Sequence, residues 1–290
     1  MRFLPKNRRR FWILFGLLLV LAVATIWYRH WSPKMELSTA HYTIRSTASP
    51  EQTRKVAEMV EILNTAYLRV FTNLPPATGR KLQLKLYRDR AEFRRVNPWV
   101  GWAEAFYRKP YCNAYYSEDE VNPYHWMLHE ATHQLNNEVA HFKLAKWVDE
   151  GLATYFSTSM VKDGKPTPGE IDRNTYPIWW LDSSYLTGDI NRDIAVNKFI
   201  PLKVIVTGRG GPDLNHNVNL HYVHWWSLSH FLFKFDGGKY QNGYFQVIQE
   251  GGSLAAFEKY VGPADRIQTE WYAYLRELST MRSPALTPSH

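Results

Sequence analysis

Apolar positions along this chain recur in patterns that predict most of its elements. Residues 11–28 form one uncharged run, which as a helix reaches about 27 Å, close to the hydrocarbon thickness of a bilayer. Residues 41–45 alternate and are rich in β-branched side chains, which predicts a short strand. Ser49-Pro50-Glu51-Gln52 predicts a helix start, with Ser as cap, Pro in the first turn and Gln closing a capping box. Val56, Val60, Leu63, Tyr67 and Val70 then follow helical spacing until Asn73-Leu74-Pro75-Pro76. Residues 81–87 alternate strictly, putting Leu82, Leu84 and Leu86 on one face of a half-buried strand. Asp89-Arg90-Ala91-Glu92 opens another short helix, and residues 105–107 and 113–116 read as a hairpin around Lys109-Pro110. From Asn122-Pro123 onward the pattern is mainly helical, notably over 220–235, 254–260 and 267–278. Two stretches rich in Gly, Pro, Asp and Asn, 162–177 and 207–219, read as loops.

The expected class is therefore α+β: a small α/β half over 35–121 followed by a mainly helical half over 122–280. A basic tail (1–10) and the apolar segment (11–28) precede it, and a tail (281–290) follows. With 290 residues, 45% of them hydrophobic, the chain can bury a sizeable core, which excludes intrinsic disorder and collagen. The net charge of +8 changes meaning once it is located. Arg2, Lys6, Arg8, Arg9 and Arg10 supply five of the basic groups, and removing them leaves 30 basic side chains against 27 acidic ones. A body so nearly balanced has no stripe to track phosphates, so nucleic acid is not expected as a partner. Cys112 is alone, cannot form an internal disulfide, and reads as a small apolar filler.

Trp12 at one end of the apolar run and Trp27, Tyr28 and Trp31 at the other suit the two interfaces of a membrane. Five basic residues before the run, against Arg29 and Lys34 after it, predict a cytoplasmic N-terminus and an extracytoplasmic body. Ala22-Val23-Ala24 is also a passable cleavage site, so a cleaved signal with a secreted or periplasmic body is the alternative. Export is common to both.

The chemistry is concentrated in His129-Glu130-Ala131-Thr132-His133. Histidines at i and i+4 share one helix face and can reach one metal ion. Glu130, rotated by roughly 100° from His129, can stand beside the open coordination position and accept a proton. Downstream lies Trp147-Val148-Asp149-Glu150-Gly151-Leu152-Ala153. A carboxylate from that second helix would complete a three-ligand set of N and O donors, which favours zinc with its fourth position open. His125 stands one turn before His129, as a fourth ligand or as a hydrogen-bonded helix residue; His141 reads as surface and Trp147 as core.

LHEATHQL at 128–135 followed by WVDEGLATYF at 147–156 resembles the gluzincin metallopeptidases, whose third ligand sits in a W-x-x-E-G-x-A segment. More narrowly, the body is similar to the peptidase-MA-like bacterial proteins catalogued as a domain of unknown function, from about Tyr42 to Leu275. HYTI, KLQLKLYRDRAEF, the aromatic hairpin, GGSLAAFEKYVG and EWYAYL carry the rest of that likeness. The resemblance implies a thermolysin-like fold, a Zn2+ ion held by His129, His133 and Glu150, and Glu130 as general base. It also implies that residues 113–116 flank the cleft with an edge free to pair with an extended peptide. Thr154 departs from the pattern, since thermolysin-like enzymes carry there an acid that orients a zinc histidine.

Amide hydrolysis builds negative charge on the former carbonyl oxygen, so a donor should face it. The segment 220–226 offers His221, Tyr222 and His224, and Tyr222 is the choice, in keeping with the Tyr or His that related gluzincins use. The expected function is an exported, membrane-anchored zinc peptidase acting on a peptide or protein substrate. The alternatives are an amidase acting on cell-wall amides and a non-catalytic envelope protein with a structural zinc and an aromatic ligand-binding cleft. In the last case His125 would close the fourth metal position.

Overall fold

A computed structural model describes residues 8–76, 79–120, 122–162, 165–183 and 186–280. The tails at 1–7 and 281–290 lie outside the described residues. The chain begins with α1 (Arg8–Arg29), followed by β1 (Met35–Ser38), β2 (Tyr42–Ser46), α2 (Pro50–Val70), β3 (Leu82–Tyr87), α3 (Arg90–Val96), β4 (Phe106–Arg108) and β5 (Tyr111–Tyr115). Among the described residues α1 alone is long and apolar enough to cross a membrane, over Phe11–Arg29, and none of that span is buried against the body.

The cap expected for α2 is present in both directions. Ser49 Oγ accepts from the Gln52 amide, and the Gln52 side chain accepts from the Ser49 amide, each at 3.1 Å. The five strands lie in the order β1-β2-β3-β5-β4, parallel in the middle and antiparallel at both edges. Tyr42, Ile44, Leu84, Leu86, Cys112 and Ala114 are fully buried and join the main core with α2. A smaller cluster of Tyr87, Phe93 and Tyr115 packs with α3.

This order corrects the sequence reading. Residues 113–116 do not offer a free edge, because β5 is enclosed between β3 and β4; the outer strand is β4. Edge strand β1 was not foreseen, being only four residues long and half exposed. The stretch 162–177 also holds structure, since β6 (Ser159–Lys162) pairs antiparallel with β7 (Lys165–Ile171) despite Pro166 and Pro168. A two-stranded ribbon is all edge, so proline costs it few ladder bonds.

The helical half carries α4 (His125–Gln134), α5 (Lys146–Ser157), α6 (Ile190–Ala195), α7 (Leu202–Thr207), α8 (Val218–Lys234), α9 (Gln241–Gln249), α10 (Leu254–Tyr260) and α11 (Ala264–Thr280). α5 is clamped on both sides. Trp147 is buried against Tyr244 and Phe257 and donates to the Gly252 carbonyl at 2.8 Å. On the other face, Gly151 lets α8 come close: a Cβ there would stand 2.3 Å from Ser229 Oγ and 2.9 Å from the Trp225 carbonyl oxygen. The serine can rotate but the backbone oxygen cannot, so glycine is what this crossing needs.

Candidate metal centre and catalytic cleft

α4 buries Leu128 and Ala131 in the core and turns His129, Glu130 and His133 toward a cleft of about 690 Å³. Across it, α5 presents Asp149 and Glu150. His129 Nε2 and His133 Nε2 are 3.2 Å apart, and Glu150 Oε2 lies 3.4 Å from the first and 3.6 Å from the second. Ligands about 2.0–2.1 Å from a tetrahedral zinc are separated by about 3.3–3.4 Å, so these three atoms have the spacing of one face of that tetrahedron. Glu150 Oε2 is buried without a hydrogen-bond partner, a costly state for a carboxylate oxygen unless a cation meets it. The donor set fits a zinc ion, and a buried His129, His133, Glu150 group that could hold a metal is present.

Burial is the largest influence on the Glu150 carboxyl and opposes ionisation, yet the two imidazoles together hold it well below the glutamate range. Burial raises Glu130, in contrast, against the pull of the same two imidazoles. The two carboxyls are thus pushed in opposite directions, Glu150 toward its charged form and Glu130 toward its protonated one.

His125 does not join the group. Its ring is 6.3 Å from that of His129, and its Nδ1 donates to the Ser157 carbonyl at 3.3 Å. Burial lowers its pKa to about 3, which leaves it neutral. Among the described residues, no fourth protein ligand closes the site.

Position 154 carries no acid, and a different carboxylate, that of Asp149, approaches His133. Thr154 Oγ1 merely donates to the Glu150 carbonyl at 2.6 Å. Asp149, the residue just before the ligand Glu150, sets Oδ2 3.0 Å from His133 Nδ1, to one side of the ring N–H. Asn136 Nδ2 donates to Asp149 Oδ1 at 2.8 Å, and the buried Tyr67 hydroxyl donates to Asn136 Oδ1 at 2.7 Å. Asn136 reaches this position because α4 runs on into a π-helical turn, Leu135–Val139. A carboxylate behind a metal histidine fixes the ring and raises its basicity. Asp149→Ala is therefore expected to weaken zinc binding by about 10–100-fold, read by competition with a chromophoric chelator. An unchanged affinity would remove Asp149 from the site. Sequence reasoning missed this residue, whose only signal was its place beside Glu150.

Of the three oxyanion candidates on α8, the structure brings only Tyr222 to the cleft. His221 Nε2 meets the Pro212 carbonyl at 3.0 Å, while His224 accepts from the Ile200 amide and donates to the Leu220 carbonyl in the core. The Tyr222 ring lies 6.1 Å from that of His129, and burial, helped by Glu150, raises its phenol well above the usual value. It stays protonated and can donate. A second, smaller pocket of about 200 Å³ also borders Glu130 and is lined by Trp102, Trp126, Tyr176, Val218 and Tyr222. Trp147 is core and His141 is exposed, as expected. Compared with known proteins, the chain matches no protein-family model and no curated protein.

Proposed function

We propose that this chain is a gluzincin-type zinc peptidase, held in the membrane by α1 with its N-terminus cytoplasmic and its body outside. The observation that carries the reading is the three-atom ligand face at 3.2–3.6 Å beside the buried Glu130 and an open cleft. The thermolysin-like layout implied by the resemblance is supported by an antiparallel edge strand, β4, whose Phe106 and Tyr107 line that cleft. Bound there, zinc supplies Lewis acidity to the scissile carbonyl and a nucleophile at neutral pH.

The chain's own residues do the rest. His129, His133 and Glu150 hold the ion, and Asp149 orients His133. The free edge of β4 pairs with an extended peptide and aligns its carbonyl. Glu130 accepts a proton from the attacking water and passes it to the leaving amine. Tyr222 donates to the developing oxyanion. Digestion of an unbiased peptide library by the full chain in detergent tests the reading: cleavage is expected, lost on chelation and restored by zinc. A zinc-loaded chain that cleaves nothing would overturn it.

A further inference from the structure

Two large side chains near the cleft remain mostly exposed. Trp99 is 61% exposed and Trp102 is 65% exposed, on the turn that follows α3. This turn is tied to the exit of the apolar span. The Arg95 guanidinium donates to the Tyr28 carbonyl and sits 5.4 Å over the Tyr28 ring. Trp31 donates to Thr47 and packs 5.1 Å from Tyr87, so the chain leaving α1 is fixed to the body on the α3 side. Trp99 follows Arg95 by four residues, across the non-helical Asn97, so the chain keeps it within about 13–14 Å of Arg95. A headgroup layer is about 5–8 Å deep on each side of the hydrocarbon. Arg94 holds the carbonyls of Gly101 and Trp102, which keeps the turn folded back on α3.

We infer that the turn carrying Trp99 and Trp102 docks in the lipid headgroup layer as a second membrane contact beside α1. Indole rings favour that layer, being apolar bodies with one polar N–H. Arg90, Arg94 and Arg95 on α3 are all paired, the first two with Glu104 and the third with Glu92 at 3.7 Å, so the indoles and not charge carry the contact. The inference rests on the reading of α1 as a retained anchor. It also deepens the peptidase reading. Trp99 packs 4.7 Å from Phe106 on β4, and Trp102 lines the pocket beside Glu130. The cleft mouth is then held at the bilayer surface, and its substrates are extended segments of chains that are themselves tethered to the membrane.

The test is nitroxide depth measurement on the full chain in phosphatidylethanolamine–phosphatidylglycerol bilayers. Single labels go on Pro98→Cys, on Val20→Cys within the span, and on Val196→Cys, an exposed position of the helical half. Cys112 is buried and stays in place. Label 98 is expected to be shielded from a water-soluble nickel chelate, and to lose that shielding when Trp99→Ser and Trp102→Ser are added. A label at 98 as accessible as label 196, with label 20 deep in hydrocarbon, overturns the inference and leaves the anchor intact. Label 20 in water overturns the anchor and the inference with it, while the peptidase assay stands apart from both.

Discussion

Glu130→Gln is expected to lower peptide hydrolysis by at least about 10²–10⁴-fold, the usual effect of losing acid–base help, with zinc still bound one to one. The side chain is only 9% exposed, and the substitution keeps its size and hydrogen-bonding reach. What it removes is the capacity to accept a proton. Glu130 is not in the ligand group, so metal content and thermal midpoint should stay at wild-type values. Hydrolysis at the wild-type rate with zinc retained would sink the mechanism and leave a structural role for the metal.

The paired replacement His129→Ala with His133→Ala is expected to take zinc from one per chain to none and to abolish hydrolysis. It should also abolish the effect of zinc on stability. An ion that binds only the folded chain stabilises it by about 2.7 kcal/mol when present at about 100 times its dissociation constant. The wild-type melting temperature should therefore rise with added zinc and fall with chelator, while that of the double variant responds to neither. Stoichiometric zinc in the purified double variant would overturn the ligand assignment.

What the sequence reveals, and what it hides, divides by range. The α2 cap and the Leu82, Leu84, Leu86 face of β3 depend on neighbours a few residues away, and both are as read. The paired histidines are legible for the same reason, since i and i+4 fix their common face. The order of the sheet is not local. Residues 105–107 and 113–116 give a hairpin, but which strand turns outward depends on β3 pairing with β5. The β6–β7 ribbon was hidden by prolines, although Asp163-Gly164 between its strands is a strong hairpin signal. Asp149 and Glu150 are neighbours on one helix. Only the crossing of α4 and α5 decides that Glu150 meets both histidines and Asp149 approaches the other side of the His133 ring.

The close approach at Gly151 reaches further than packing. Before α5 docks, α4 brings together the two histidines of the group without its carboxylate. The third donor arrives on the helix that Gly151 and Trp147 fasten to the rest of the body. Under the proposed function, the metal affinity of the chain is therefore linked to the docking of α5. Side chains at the α5–α8 crossing, which would never touch a bound ion, then bear on how tightly it is held.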